Sequence, residues 1–441
     1  MNEKEIVIVE DKSKTRKKRP TFQSVKGMYE ILPEEALWWD KVYLVVKEVA
    51  KFYTFKHIET GIIENGELFE RAVGEENEVV QKEMFYIKSR THNWVLRPEN
   101  TASIVRAYLE YGFSSLPQPV KLFYFGPMFR HENPQAGRYR QFWQSGFEIL
   151  GGENDPIFDA QIMLVAFRIL KDLGLKDSII KLNSVGCRVC QPNIKKKLSN
   201  FYRNNLKKIP KEYEDYINSN PLKILDSKKE EMCDLNEQAP VILDSLCMAC
   251  RGHLKNLLEY LDETSLPYEL DNTLVRGLDY YDKTVFEIFV PQSNNEKLAV
   301  CGGGRYDYLT EMLGGRPTPA LGFAFGLERL ISILKERKGN NPINREKKSK
   351  VFFIHVGEIA KKKSLSLVEM LRENNISVME SLSKDSMAKQ LALADNEGIE
   401  LVLIFGQKEV YEDSVIVKNL KSGIQETVLI KNMVDDLRKR F

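Results

Sequence analysis

Apolar residues recur every three to four positions from Glu34 to Lys51, EEALWWDKVYLVVKEVAK, directly after Pro33. That period, with a proline at its start, predicts an amphipathic helix. The next apolar stretches are shorter and read as strands: FKHIETGII, then VKLFYFGPMF over 120–129 and RQFWQSGFEIL over 140–150. The last two flank a polar segment, RHENPQAGRY, and so predict a hairpin with a long loop. Residues 154–175 return to helical spacing. Over about 180–268 the strand signal fades while cysteine pairs and lysine-rich stretches take over, which predicts an inserted helical unit. Strands are expected again at 283–290, 297–301 and 319–325, before a helix from Gly326 to Arg337.

A charged stretch with Gly, Asn and Pro, within KERKGNNPINREKKSK, reads as a linker over 336–350. Beyond it VFFIHV, ISVME and LVLIFG alternate with the helix-like LSLVEMLRENN and SMAKQLALADNEG, and SVIVKN and ETVLI follow. Strands alternating with helices predict a small α/β unit over 351–441, its sheet covered on both faces. The larger part, 21–335, strings hairpins together and is expected to be α+β with a largely antiparallel sheet.

Length adds a prior of roughly three domains at about 150 residues each. Charge adds little: 65 Lys and Arg stand against 63 Asp and Glu, so any nucleic-acid contact must come from local patches. The run DKSKTRKKRP near the start has no apolar segment behind it, and no stretch approaches the roughly 18 apolar residues of a membrane span. These features predict a cytoplasmic protein with a disordered basic arm over 1–20. Six cysteines, four of them in GCRVC and LCMAC, suit a reducing compartment. Cys187, Cys190, Cys247 and Cys250 form a formally complete four-thiolate zinc set, although the long gap between the pairs favours free thiols over a structural ion.

Neither GxxxxGK[ST] nor a strand-borne GxGxxG is present, so a bound nucleotide would have to be held by arginines. Candidates are Arg130, with Glu132, in FRHE; Arg138 in GRYRQF; Arg276 in RGLDYY; and Arg329 in GLERL. A planar guanidinium fork suits phosphate oxygens and can offset charge that builds up on a phosphorus under attack. Each arginine taken alone reads as a surface ion pair. Their shared, distinctive settings argue for a common site.

From VKGMYEILPEE to the end, the chain resembles the histidyl-tRNA synthetases, which are class II aminoacyl-tRNA synthetases. The resemblance is carried by LRPENTAS, FGPMFRHENPQAGRYRQFWQSGFEILG, LVRGLDYYDKTVFEI, CGGGRYDYL and ALGFAFGLERL, in order. It implies a six-stranded antiparallel catalytic domain with an insertion, a C-terminal anticodon-binding domain and a homodimer. L-histidine, ATP with Mg2+ and tRNA(His) are the implied partners, with histidyl-adenylate as intermediate. It also implies that Arg276 and Arg130 act at the α-phosphate, and that Glu132, Arg138 and Arg329 bind ATP. Glu99, Thr101 and Gln144 would hold the α-amino group, Glu148 and Tyr281 the imidazole, with Tyr280 and Tyr306 lining its pocket. Elementary chemistry agrees on the imidazole, whose single N–H and single lone pair ask for an acceptor and a hydroxyl. Such a pocket rejects amino acids that leave its polar groups unpaired, so no editing domain is expected.

Some positions depart from the family pattern. Gly61 stands where a proline is common, Asn100 follows RPE in place of glycine, and Trp143 replaces an expected histidine; these should alter pocket walls more than charges. Near the implied anticodon site Ala388 and Ala392 replace polar or basic residues, while Lys389 and Gln390 remain. His57, His92, His253 and His355 fall outside the motifs and read as structural or surface residues; His131 lies in the FRHE loop. A rival reading is a non-catalytic paralogue that regulates ATP phosphoribosyltransferase. The retention of Arg130, Arg276, Arg329 and residues 351–441 argues against it.

Overall fold

The hairpin expected from VKLFYFGPMF and RQFWQSGFEIL forms one side of the sheet of the first unit. Its strands β1 (Val120–Phe129) and β2 (Gln141–Leu150) pair antiparallel from Val120 opposite Leu150 to Phe129 opposite Gln141. The computed structural model describes residues 22–133, 137–227, 229–292, 297–338, 351–382 and 386–441. The expected basic arm and most of the expected linker lie outside those residues.

Four more strands complete the sheet: β3 (Ile179–Ser184), β4 (Asp282–Pro291), β5 (Lys297–Arg305) and β6 (Ala320–Gly326). Their spatial order is β1-β2-β6-β5-β4-β3, antiparallel at every step. Short parallel strands extend both edges, Lys56–His57 beside β1 and Tyr268–Leu270 beside β3. The six-stranded antiparallel sheet implied by the resemblance is therefore present, within a sheet of eight.

Two strands differ from expectation. β3 falls inside the region of weak strand signal, because in IIKLNS only Ile180 and Leu182 face the core and a lysine separates them. Pairing with β4 supplies what its own sequence lacks. The long helices of the insertion, Gln191–Asn204 and Met248–Glu263, come after it. β5 runs past residue 301 through Gly302, Gly303 and Gly304, a sequence that resists strand formation unless close packing needs the space.

The sheet divides the unit into two layers. On one face α1 (Pro33–Phe52), with proline in its first turn, buries Trp38, Trp39, Val42, Val46 and Val49 at helical spacing. It packs there with α3 (Ile157–Asp172) over Phe147, Ile149 and Phe323. On the other face α2 (Thr101–Glu110) joins Tyr124, Met128, Tyr280 and Tyr306 in a second cluster. Side chains alternate along β2, so Phe147 and Ile149 enter the first layer while Gln144 and Glu148 are turned toward the second. α4 (Leu327–Lys338) follows β6 directly.

The C-terminal unit is the small α/β structure expected. Val351–His355 lies between Val378–Glu380 and Leu401–Phe405, all parallel, and Ser414–Asn419 and Gln425–Leu429 continue the sheet antiparallel. Every residue of Val351–His355 and Leu401–Phe405 is buried, as strands covered on both faces require. Separate apolar clusters lie on its two faces. Among the described residues no helix is long and apolar enough to cross a membrane.

Phe147 sits between Phe123 and Phe323, its ring centroid 5.7 and 5.2 Å from theirs, with no solvent exposure. Phe147→Ala should lower the unfolding free energy by about 3–5 kcal/mol, read as a lower urea midpoint.

Candidate active site

The polar side of the sheet begins with two carboxylates. Glu148, on β2, is 1% exposed. Its Oε1 accepts the Thr101 hydroxyl at 3.0 Å and its Oε2 accepts the Tyr306 hydroxyl. Gly322 on β6 lies directly opposite Glu148, and any side chain there would occupy the space of the carboxylate. Glu99, also buried, accepts the backbone N–H groups of Thr101 and Ala102 at 2.7 and 2.9 Å, at the start of α2. Burial pushes the Glu148 carboxyl up to about 8, against the two hydrogen bonds that favour its charge and with help from the charge of Glu99. Glu99 is raised by burial too, and the charge of Arg130 draws it back down. Tyr280 lies 4.6 Å from Tyr281 and 5.7 Å from Tyr306, ring to ring, and closes this side.

A cavity of about 780 Å³ lies nearby, and of this group's neighbours it is Tyr281, beside Tyr280, that reaches its wall. Gln144 and Tyr281 line it, and so do Arg130, Glu132, Arg138, Arg276 and Arg329. The loop between β1 and β2 carries Arg130, whose Nε donates to the Pro98 carbonyl at 3.0 Å and whose guanidinium faces Phe142. Glu132 stands between two cations, 3.9 Å from Arg130 and 3.5 Å from Arg138. Arg329 is pulled down by burial first, then by the like charge of Arg138. Two guanidinium groups that disfavour each other at a cavity wall form a site for an anion.

Arg276 lines the same cavity. It pairs with Glu287 on β4 and rests over the Tyr281 ring. Its Nε–H is buried without an acceptor among the described residues, a donor left for a ligand. The guanidinium lies against the bare backbone of Gly302, where a Cβ would overlap it. The glycine run in β5 thus makes room for a catalytic candidate, not for a tight turn.

Other residues support the site without having stood out in the sequence. Arg97 binds the Thr60 carbonyl and hydroxyl at 3.0 and 2.9 Å and the Pro127 carbonyl at 3.0 Å, fixing the segment that carries Glu99. Glu328 accepts the Tyr29 hydroxyl and the Trp143 backbone N–H, each at 2.7 Å. Beneath Tyr306 the fully buried Arg305 pairs with Asp159 and Asp307, and Asp159 also meets His253 at 3.3 Å. A lone arginine in GGGRYD shows no sign of such burial, although the acid two positions on is a hint.

Two expectations about departures need correction. Trp143 is not a pocket wall: strand alternation sends it to the helical layer, where it packs on Trp39. Gln390 is buried and donates to the His355 carbonyl at 2.8 Å, so its amide is spent on the fold; Lys389 is exposed. Asn100 accepts the Thr60 hydroxyl at 2.6 Å.

The family profile described as histidyl-tRNA synthetase matches residues 27–330, and an anticodon binding domain profile matches residues 350–440. A six-stranded antiparallel sheet with clustered arginines, followed in sequence by such a domain, defines a class II aminoacyl-tRNA synthetase. The chain belongs to the histidyl-tRNA synthetase family. Histidine–tRNA ligases of Thermosipho melanesiensis and Halothermothrix orenii are 41% and 39% identical to it, over 92% and 94% of this chain and 95% and 98% of theirs. The apo histidyl-tRNA synthetase of S. aureus superposes with a TM-score of 0.77 at 30% identity, covering 94% of this chain and 99% of its own. At 20% identity and a TM-score of 0.62, a Bacillus halodurans protein described as an ATP phosphoribosyltransferase regulatory subunit/histidyl-tRNA synthetase shares the fold.

The raised Glu148 carboxyl has a sign that can be tested. An unfolded glutamate ionises near 4.5, whereas folded Glu148 keeps its proton to about 8, so the folded state loses stability as pH rises between those values. Glu148→Gln removes this dependence. Melting curves from about pH 5 to about pH 8 should show the variant gaining stability relative to the parent.

Proposed function

We infer that the cavity holds ATP against its arginines and histidine on the side of Gln144 and Tyr281, with Arg276 where the two meet. The enzyme ligates histidine to tRNA through histidyl-adenylate. In the first step an oxygen of the histidine carboxylate attacks the α-phosphorus of ATP. The bond to the β-phosphate bridge breaks and pyrophosphate leaves. In the second, a hydroxyl of the terminal adenosine of the tRNA takes the histidyl group and AMP is released.

The observation that carries this reading is a single cavity with Arg130, Arg138, Arg276 and Arg329 in its wall, groups that suit polyphosphate. Glu99 and Glu148 are buried carboxyl groups close to Tyr281 in that wall, suited to an ammonium and an imidazole. Glu99, Thr101 and Gln144 would receive the α-amino group. Glu148 and Tyr281 would bracket the ring, with Tyr280 and Tyr306 behind them. Arg276 would touch the carboxylate and the α-phosphate, and together with Arg130 supply positive charge as negative charge grows on the phosphorus. The attacking carboxylate is already ionised at neutral pH, so no base is needed.

The Mg2+ that accompanies ATP suits Glu83 and Glu132, which line the cavity; burial first and then the charge of Glu132 raise the Glu83 carboxyl, and a cation would relieve the second of these. The ion supplies neutralisation of polyphosphate charge. The tRNA partner is tRNA(His), with the C-terminal unit at its anticodon. A cytoplasmic homodimer is the assembly that membership of the family supports; sedimentation should give twice the chain mass, and a monomer in active preparations would remove that reading.

Histidine-dependent exchange of pyrophosphate into ATP tests the assignment of Arg276. Arg276→Ala should reduce the exchange rate by about two to three orders of magnitude. Arg276→Lys, which keeps the charge but loses the fork, should fall between the two. Near-parental exchange by the alanine variant would remove Arg276 from the transition state.

A further inference from the structure

We propose that Cys187, Cys190, Cys247 and Cys250 bind one zinc ion as four thiolates, and that the ion clips the helical insertion to the catalytic sheet. This is a structural site, separate from the ligation chemistry, in which no step calls for a metal-activated water.

Distance is the first argument. The four sulfur atoms all lie within 4.8 Å of one another. Zinc–thiolate bonds of about 2.3 Å in a tetrahedron place neighbouring sulfurs about 3.8 Å apart. Cys187 lies 3.8 Å from Cys190 and 3.9 Å from Cys247. A disulfide would need a sulfur separation of about 2.05 Å and would engage only two of the four.

The backbone around the cluster is the second argument. Gly186 has φ +72°, and a side chain there would run into the Cβ of Cys190. That turn folds the first pair inward, with the N–H of Cys190 on the Cys187 carbonyl at 2.9 Å. The N–H of Cys247 points at the Cys190 sulfur at 3.1 Å, an N–H···S contact of the kind that holds a metal-bound sulfur in place. Gln191–Asn204 begins immediately after Cys190, and Met248–Glu263 begins immediately after Cys247 and holds Cys250 in its first turn. Two helix N-termini therefore face a cluster that carries two net negative charges once four thiolates surround a divalent ion.

The third argument is what the cluster joins. Immediately before it, Val185 and Gly186 pair with Lys283 at 2.8 and 3.0 Å, at the start of β4. Arg188, inside the first pair, stacks on Tyr308 at 3.9 Å and meets Glu311 at 2.6 Å. His253, one turn past Cys250, reaches Asp159, the partner of the buried Arg305. The two long helices of the insertion are thus rooted at one point, next to the residues that support Tyr306.

The test uses the untagged full-length chain, with zinc measured by plasma mass spectrometry. About one ion per chain is expected. Cys187→Ser/Cys250→Ser should lose it, while Cys233→Ser, outside the cluster, should keep it. Cobalt exchanged into the parent should show the visible absorption of tetrahedral thiolate ligation, and chelation should lower the melting temperature and open the 186–267 segment to proteolysis. A folded parent protein that arrives without zinc and takes up none when equimolar zinc is added overturns the proposal, even if the serine variants fail to fold. Zinc retained by the double variant, or iron in place of zinc, overturns it too.

Discussion

A carboxylate held inside a sheet is costly unless something is placed to meet it, and Glu148 is held there from every side. Tyr306 and Thr101 direct their hydroxyls at its two oxygens, and Gly322 across the ladder leaves it space. β5 leads into Tyr306, α2 begins at Thr101, and β6 carries Gly322. Two consecutive strands and a helix some two hundred residues earlier in the chain therefore have to arrive in register around one residue. Arg305, buried with Asp159 and Asp307, anchors the segment on which Tyr306 sits. On the proposed assignment, selectivity would have the same origin: a ligand without a ring N–H and a lone pair in the right places would leave buried groups unpaired.

Four arginines in one cavity wall suit a polyanionic ligand. Burial and then Arg138 disfavour the charge on Arg329, while burial, with help from Glu99, raises Glu148.

The fold was largely legible because its long elements repeat at the proper period. The helix after Pro33, the hairpin over 120–150 and the five strands of the C-terminal unit all follow their apolar patterns. Legibility failed where partners, not local sequence, decide. IIKLNS is a strand because β4 and Tyr268–Leu270 flank it. Gly303 and Gly304 belong to β5 because neighbouring strands press against them too closely for side chains. Motif resemblance named the site residues, yet it could not show that Trp143 faces away from the cavity or that Gln390 is bound to His355. The long gap between the cysteine pairs carried no information about distance, since two helix starts meet there.

Gly322 and Gly302 offer no functional atom, yet each leaves room for a candidate that does: the Glu148 carboxyl in one case, the Arg276 guanidinium in the other. For mutational tolerance this reverses the usual order. A conservative exchange among the polar residues leaves something with which to bind, whereas a single methyl group gained at position 322 evicts the carboxylate while every recognition atom is still encoded. Inherited or engineered loss of function in this enzyme can therefore arise by addition alone, at positions that an inspection confined to chemically active side chains would pass over.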